Sequence, residues 1–444
     1  MDRKHPTGMA AFLVVMIGQT ISLLATNMTG FALPIWVYQK TGTATSLALL
    51  GFFFITPMLV ISPLAGVFVD RYNRKLMMAL SDLAAGLATT AVLVLYASGH
   101  LEIWHLYVTN FIAGLFNAFH FPAFSAVVTT MLSKDQFGRA SGMMSLAEIG
   151  PGVLAPFLAA TLLGVIGLQG ILLIDVVTFI VAVAAILAVR IPQPPRTAEG
   201  QRGQGNMLRE AWYGFEYILA RPSLLGLQVV FLLANFLVTV PYAIYPALIL
   251  ARTGNDAQAL ALVSTLGAVG GVVGGIVMSA WGGPRPRVHG VLIGWFISGL
   301  IGVALMGLGR SVLVWGTAQL VSSFLIPIIN GSNQAIWQSK VAPDIQGRVF
   351  SIRRLIAWFV VPIATLIAGP LADKVFEPAM QQQGAWMLFL SGVVGSGPGA
   401  GIAVLFVVGG IGAACIGLCG YAVKAVRSAE TILPDFDAMA VIES

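Results

Sequence analysis

Long apolar segments recur along the whole chain and are separated by short polar ones. Each is near or above the roughly 20 residues that an α-helix needs to cross the hydrocarbon core of a membrane. They lie at 9–33, 45–69, 76–98, 103–131, 140–165, 168–189, 223–250, 256–281, 288–309, 311–338, 347–371 and 398–423. No stretch alternates apolar and polar residues as a transmembrane β-strand would. The pattern predicts an all-α polytopic membrane protein with twelve transmembrane helices.

The longest polar stretch, residues 190–222, divides these segments into two groups of six. Its first half is rich in Pro, Gly, Gln and Arg and predicts a flexible linker. Its second half, from Met207, predicts an amphipathic helix at the membrane interface because four apolar residues recur at helical spacing: Leu208, Trp212, Phe215 and Leu219. We therefore expect two pseudo-symmetric six-helix bundles at 1–190 and 223–428. A cytoplasmic linker at 191–222 would join them, and a cytoplasmic tail would occupy 429–444.

The composition agrees with a membrane protein, and the distribution of charge predicts its orientation. Charged residues make up 9% of the chain and hydrophobic residues 57%, whereas soluble domains have about 25% charged residues. With the N-terminus in the cytoplasm, twenty of the 24 basic residues fall on the cytoplasmic side, and four fall outside: Lys40, Arg252, Arg310 and Lys374. Because short cytoplasmic loops carry an excess of Lys and Arg, we expect both termini in the cytoplasm.

The two halves of the chain contain an internal repeat. Asp135, Gly138 and Arg139 recur as Asp344, Gly347 and Arg348, each 209 residues further on. Two duplicated six-span halves joined by a cytoplasmic linker are typical of a transporter that works by alternating access around a central site.

The loop after the second apolar segment reads GVFVDRYNRK, from Gly66 to Lys75. It resembles the G-x-x-x-D-R-x-G-R-K motif of the major facilitator superfamily. Asn73 stands where the second glycine is usual, and we expect it to keep the turn because Asn tolerates a left-handed backbone. In the second half, Ser279 replaces the acidic residue of this motif.

The resemblance implies that this loop gates the transporter. A carboxylate at a helix end can bind an arginine from a neighbouring helix in one conformation and release it in the other. Ordinary topogenic charge is the alternative, but it does not explain the Gly and Asp spacing. We expect Asp82 to pair with the Arg71 and Arg74 cluster rather than to meet substrate. The gating candidates are Gly66, Asp70, Arg71, Arg74, Lys75, Asp82, Arg139, Arg348 and Arg354.

A second motif favours export. Gly150, Pro151 and Gly152 lie in the fifth segment and resemble the glycine–proline motif that exporters of this superfamily carry there. Small residues would allow close helix packing, and proline prevents a straight helix. The C-terminal runs LADKVFEPAM and GSGPGAGIAVLF are similar to the macrolide-efflux branch of drug antiporters.

The motifs do not identify the residue that carries a proton, because Asn110 occupies the position where proton-coupled relatives place an arginine. Ionisable residues inside membrane helices are costly and are candidates for function. Glu148 lies in the fifth segment and is either a proton carrier or a carboxyl held by a neighbouring Ser or Asn. For Asp175 in the sixth segment, the second coupling candidate, we favour a structural hydrogen bond.

The resemblance further implies that the first, fourth, seventh and tenth helices line a central cavity. Their polar and aromatic residues are mostly uncharged, which suits a bulky amphipathic solute with several hydrogen-bonding groups. Some of them will instead join helices to one another, and His120 either titrates near neutral pH or packs beside Phe119 and Phe121. The cavity candidates are Gln19, Asn27, Asn110, Asn117, His120, Asn235, Tyr242, Tyr245, Asn330, Asn333 and Trp337.

Other functional classes lack the motifs that they need. The chain contains no G-x-x-x-x-G-K-[ST], H-E-x-x-H or G-x-S-x-G string, so an ATP-driven pump and an intramembrane enzyme are disfavoured. Five scattered histidines make a metal site improbable, and we expect no cofactor and no nucleic-acid partner. We predict a monomeric efflux transporter of the plasma membrane that exports an amphipathic drug or secondary metabolite, coupled to protons. A facilitator or importer of a lipid-like or other small solute is the alternative, and a channel is less favoured.

Overall fold

The computed structural model describes residues 8–71, 73–131, 137–189, 214–341, 346–381 and 385–433. At 63–71, 74, 121–130, 137–142, 144–146, 148–149, 346–348, 351 and 385–389 the description covers the backbone alone. Within the described ranges the chain is helical and contains no β-strand. The predicted all-α fold is therefore confirmed.

The first half consists of long helices with bounds close to the predicted segments: α1 (Gly8–Thr41), α2 (Ala44–Arg71), α3 (Arg74–Ala97) and α4 (Ile103–Met131). The helical stretch Phe137–Ala188 follows, and Gly167 breaks it with φ 64° and ψ −176°. Only glycine adopts that conformation without strain. The break divides the stretch into α5 (137–166) and α6 (168–188), at the position that the apolar pattern predicts.

The second half begins with a short helix at 214–219. Two of its membrane helices contain a π-helical turn, at Ser298–Ala304 and Leu371–Phe376. The long helices are α7 (Pro222–Tyr242, continued by Tyr245–Thr253), α8 (Ala257–Trp281), α9 (Val288–Leu308), α10 (Val312–Lys340), α11 (Gln346–Pro370, extended to Gln381) and α12 (Ala400–Ala422). Shorter helices occupy Ala385–Val394, Lys424–Arg427 and Ala429–Ile432.

Ten helical segments among the described residues are long and apolar enough to cross a membrane. Large apolar side chains remain exposed on the helices, such as Leu313 at 79% and Val165 at 77%. Such surfaces are suited to contact with lipid and not with water. The prediction of a polytopic membrane protein is confirmed. Each of the twelve predicted segments has a described helix at its position, and the count of twelve stays a prediction.

The chain divides into two compact units. The first contains Met1–Pro195 and Thr253–Thr265, and the second contains Arg196–Arg252 and Leu266–Ser444. The internal repeat is visible in the helix bounds, because α10 starts and ends 209 residues after α4. The first residue of α11, Gln346, likewise follows Phe137 by 209 residues. The offset read from the Asp-Gly-Arg repeat therefore relates α4 to α10 and the start of α5 to the start of α11.

Each unit contains a helix pair whose backbones nearly touch. In the first unit, Gly114 on α4 lies against the carbonyl of Phe54 on α2, which leaves no room for a β-carbon. In the second unit, Gly274 on α8 lies in the same way against Phe324 on α10. Close approach through glycine is a usual way to pack helices in lipid.

The start of the predicted tail is packed against the second unit. The ammonium of Lys340 donates hydrogen bonds to the carbonyls of Glu430 (2.6 Å) and Leu433 (2.5 Å). The carboxylate of Glu430 accepts one from the backbone N–H of Val288 (2.9 Å). Val426 is buried in the apolar core of this unit. Residues 424–433 therefore form an anchored segment.

The predicted interfacial helix is described only at 214–219. Tyr217 and Ile218 are buried in an apolar cluster with Trp337, whereas Phe215 and Leu219 are exposed. The buried pair attaches the segment to the second unit, and the exposed pair keeps the apolar face that was predicted to contact the membrane.

Candidate functional site

A polar cluster joins three helices inside the first unit. The side-chain amide of Gln19 on α1 donates to Oδ2 of Asp82 on α3 at 2.5 Å. Its carbonyl oxygen lies 2.9 Å from Nε2 of His120 on α4, and that nitrogen is 3.3 Å from Oδ1 of Asp82. We call Gln19, Asp82 and His120 the α1–α3–α4 cluster. An acid and a histidine in contact inside a membrane span are a candidate for proton chemistry.

The bonding pattern defines the tautomer of His120 when its ring is neutral. An ionised carboxylate only accepts hydrogen bonds, so the amide nitrogen of Gln19 faces Asp82. The remaining oxygen of Gln19 accepts from the imidazole, which requires a hydrogen on Nε2 of His120. A second proton on this ring would bind at Nδ1 and would produce an imidazolium beside the Asp82 carboxylate.

A second polar layer lies seven residues further along α1 and α3. Thr26 donates to Oδ1 of Asp175 on α6 at 2.9 Å, and Thr89 donates to Oδ2 at 3.4 Å. Seven residues are about two helical turns, or roughly 10 Å. Asp175 is 2% exposed, and its contacts are hydrogen bonds of the kind that the sequence favoured for it.

The loop motif is described at Asn73 and Lys75. Asn73 has φ −64° and ψ 115°, and its side chain accepts a hydrogen bond from the backbone N–H of Leu76, which caps α3. The expectation of a left-handed Asn73 is therefore wrong, because capping favours an extended backbone at this position. The ammonium of Lys75 donates to the carbonyls of Leu187 (2.9 Å) and Val189 (2.7 Å) at the end of α6.

Most other gating candidates have side chains outside the described residues: Gly66, Asp70, Arg71, Arg74, Arg139 and Arg348. Their role as a gate stays a prediction. The carboxylate of Asp82, expected beside Arg71 and Arg74, is placed against Gln19 and His120. Arg354 is exposed, and its guanidinium lies 5.7 Å from the centre of the Trp358 ring.

The exporter motif lies within α5. Pro151 is buried. A β-carbon added to Gly150 or Gly152 would meet no described atom within 4 Å. Close packing against a described neighbour therefore does not explain these two glycines. The side chain of Glu148 lies outside the described residues, and its role as a proton carrier stays a prediction.

Two of the cavity candidates on α10 are buried against each other. Trp337 is 0% exposed and Asn333 is 3% exposed, and the indole N–H donates to Oδ1 of Asn333 at 3.1 Å. The guanidinium of Arg353 on α11 lies 5.2 Å from the centre of the Trp337 ring. Their burial gives no support to a place for Asn333 and Trp337 on a cavity wall.

The remaining cavity candidates differ in exposure. Asn117 on α4 and Asn330 on α10 are exposed. Asn110 is half-buried, and its amide nitrogen lies 3.5 Å from the carbonyl of Leu50. Tyr242 packs edge-on against Phe406 at 5.5 Å. The half-buried candidates also include Asn27, Asn235 and Tyr245. The cavity lining stays a prediction for this set.

Three of the four basic residues predicted to lie outside bind backbone carbonyls. Lys40 donates to Leu101 (2.9 Å) in the first unit. In the second unit, Arg252 donates to Val394 and Arg310 to Gly392, both at 2.9 Å. Cations stabilise the carbonyl end of a helix: Lys40 lies in the last turn of α1, and Arg252 and Arg310 bind the end of Ala385–Val394. These residues therefore have local reasons to depart from the positive-inside bias.

Hydropathy did not predict the contact between Asp82 and His120, because it does not specify which helix faces meet. The seven-residue spacing of Gln19 and Thr26 on α1, repeated by Asp82 and Thr89 on α3, is the signal that could have indicated it. Among the described residues no group of three or more His, Cys, Asp or Glu is placed to hold a metal.

Comparison with known proteins extends this description. The sequence model described as the Major Facilitator Superfamily matches residues 15–365. The chain is 26% identical over 377 residues to "Macrolide efflux protein A" of Streptococcus pyogenes, covering 84% of this chain and 92% of the relative. It is 24% identical to "Multidrug efflux pump Tap" of Mycolicibacterium fortuitum, covering 81% and 89%.

Among solved structures, a bacterial homologue of the human lysosomal transporter Spinster, in an inward-facing and unoccupied conformation, has a similar fold. Its TM-score is 0.65 at 14% sequence identity, and the match covers 92% of this chain and 94% of that one. This likeness concerns the fold, which agrees with the arrangement of helices described above.

Proposed function

The chain belongs to the Major Facilitator Superfamily, and on that basis we propose that it is a secondary active transporter that exports an amphipathic drug or secondary metabolite. The observation that carries this proposal is the similarity to "Macrolide efflux protein A", which extends over 92% of that relative. The uncharged polar residues Asn117 and Asn330, exposed on α4 and α10, suit a solute recognised by hydrogen bonds and apolar contact.

We further propose that the cycle runs by alternating access and uses the proton gradient. In this proposal the transporter is a monomer in the plasma membrane with both termini in the cytoplasm. Asp70, Arg71, Arg74 and Arg139 would form the inner gate of the first half. The Gly150–Pro151–Gly152 motif would favour export, because it resembles the glycine–proline motif that exporters of this superfamily carry in the fifth helix.

Transport into everted membrane vesicles tests the direction and the substrate class. We expect gradient-dependent uptake of a radiolabelled macrolide by vesicles that contain the protein. Vesicles without the protein are the first control, and a protonophore should abolish the uptake. Asp70→Asn is the matched protein control, because it should reach the membrane at a normal level and yet transport slowly.

Two results would contradict the proposal. One is the absence of gradient-dependent uptake for every member of a panel that contains a macrolide, a siderophore and a cationic dye. The other is accumulation of these compounds only by right-side-out vesicles, which would favour an importer.

A further inference from the structure

We infer that Asp82 and His120, positioned by Gln19, form the proton-binding site that couples export to the proton gradient. This inference rests on the proposed function and names the residues that would carry its driving ion. It follows from the contacts of the α1–α3–α4 cluster and from a comparison of the two duplicated halves.

The duplicated half shows that the fold does not require polar residues at these positions. At the offset of 209 residues, Asp82 corresponds to Val291 on α9 and His120 to Ile329 on α10. Val291 and Ile329 are 0% and 2% exposed and belong to one apolar cluster with Trp295. An apolar pair therefore fills the interface of α9 and α10, which corresponds to that of α3 and α4. Packing alone does not account for the acid and the histidine in the first half.

An acid and a histidine are an expensive replacement for apolar residues at a helix interface in a membrane. Ionisable side chains inside membrane spans are rare because an ionised group is costly there. The first half keeps Asp82 and His120 in contact at 3.3 Å despite that cost. A role in transport explains the cost, since a proton-coupled cycle needs a group whose charge changes.

The proton balance of the cluster is simple. With Asp82 ionised and His120 neutral, the pair has a charge of −1. One proton that binds at Nδ1 of His120 makes the pair neutral, and no covalent bond other than that N–H forms or breaks. Release of the same proton on the other side restores the charge. A net charge in hydrocarbon is more costly than a neutral pair. The deprotonated pair is therefore favoured when the cluster is open to water, and the protonated pair when the cluster is closed off from water.

The cluster has partial access to its surroundings. The side chain of Asp82 is 12% exposed and that of His120 is 29% exposed. Asn117, an exposed cavity candidate, precedes His120 by three residues. Residues three apart on a helix are neighbours on one face, so a solute bound at Asn117 would lie close to the proton site.

The other ionisable groups of the surrounding helices whose side chains the structure describes are held elsewhere. Lys75 on α3 binds carbonyls at the end of α6, and Asp175 on α6 accepts from Thr26 and Thr89 two turns away. Lys40 on α1 lies near Glu102, at the opposite end of the unit from Lys75. His105 on α4 accepts a hydrogen bond from the backbone N–H of Glu102. The side chains of Asp70 and Arg71 on α2, of Arg74 on α3, and of Arg139 and Glu148 on α5 lie outside the described residues.

The decisive variant transfers the residues of the second half into the first. In proteoliposomes with a proton gradient, Asp82→Val/His120→Ile should lose uphill accumulation of a macrolide. Exchange of labelled for unlabelled macrolide without a gradient should continue and should lose its pH dependence. His120→Gln should behave in the same way, because glutamine can still form a hydrogen bond with Gln19 but cannot bind and release a proton.

Thr89→Val, seven residues from Asp82 on α3, is the matched control and should keep uphill accumulation.

Uphill accumulation by the double variant at the wild-type level would overturn the inference. A wild-type protein that neither accumulates nor exchanges any tested solute counts against the proposed function instead. A titration of the purified protein separates these failures, because it requires no transport. The ¹⁵N NMR signal of His120 should titrate in the wild type, and Asp82→Asn should move its midpoint. Identical titration curves for the two proteins would show that the charge of Asp82 does not influence proton binding by His120, and would overturn the inference.

Discussion

Two interfaces at the same place in the duplicated fold have opposite character. In the first unit, α3 and α4 meet at Asp82 and His120, which are in polar contact. In the second unit, α9 and α10 meet at Val291 and Ile329, which lie in an apolar core. The first interface therefore has groups that can change charge, and the second has groups that can only pack.

The two units also differ in the contacts of a glutamine on the first helix of each half, α1 and α7. Gln19 corresponds to Gln228 at the same offset. Gln19 bonds to two side chains that can change charge, whereas Gln228 donates to the backbone carbonyl of Arg353 at 3.2 Å. The same residue type thus supports a polar cluster in one unit and joins two helices in the other. This difference supports the proposal that the first unit, and not the second, binds the coupling proton.

The largest expected effect comes from a charge placed in the apolar interface. Val291→Asp should lower the free energy of unfolding by about 3–5 kcal/mol, the usual cost of an uncompensated buried charge. Thermal melting of the detergent-solubilised protein measures the loss. Val291→Asp/Ile329→His should recover part of it, because the histidine supplies a partner.

The reverse substitution, Asp82→Val, is the control for that variant. It should cost much less, because an apolar residue fits the same position in the other half. Equal losses for Val291→Asp and Asp82→Val would show that the two interfaces do not differ in the way proposed.

A second comparison concerns two lysines that bind carbonyls at helix ends. Lys340 is 4% exposed and anchors residues 424–433, whereas Lys75 is half-buried at the end of α6. Lys340→Met should cost about 2 kcal/mol, as expected for buried hydrogen bonds to a charged group. Lys75→Met should cost less than about 1 kcal/mol, because a cation that remains partly in contact with solvent at a helix end contributes little.

Thermal melting of both lysine variants measures these costs. In limited proteolysis, the 424–433 segment should be cleaved faster in Lys340→Met than in the wild type, and at the wild-type rate in Lys75→Met. Equal protease sensitivity of Lys340→Met and the wild type would show that Lys340 does not anchor this segment.

Much of the fold was predictable because membrane spans are long and their apolar character is local in sequence. The break near Gly167 and the offset of 209 residues could be read in the same way. The rotation of each helix about its axis could not be predicted, because nearly all faces of these helices are apolar. For that reason the contact of His120 with Gln19, 101 residues away, was not anticipated.

The backbone of Asn73 was misread for a different reason. A family pattern indicates which residue type is usual at a position, but the local hydrogen bonds decide the backbone. The side chain of Asn73 caps α3 and needs an extended backbone to do so. Lys75 likewise combines a topogenic charge with carbonyl binding at the end of α6, which charge counting alone does not reveal.

A smaller effect is expected at Asp175. Asp175→Asn should cost about 1–2 kcal/mol, because one of the two threonine hydroxyls must turn to accept from the new amide. Uphill accumulation of a macrolide should be unchanged, since the residue serves α1, α3 and α6 as a hydrogen-bond acceptor. Loss of uphill accumulation at a normal melting temperature would instead identify Asp175 as a proton carrier and would weaken the distinction drawn for Asp82.

The smallest effects compare the two copies of the loop. Gly282 occupies the place of Asn73 in the second half and has φ 78°. Gly282→Ala should cost about 1 kcal/mol, because a β-carbon is disfavoured in the left-handed region. Asn73→Gly should cost only a few tenths of a kcal/mol, since glycine is an acceptable cap. Thermal melting of the two variants side by side measures the difference. A larger loss for Asn73→Gly would mean that the Asn73 side chain does more in this loop than cap α3.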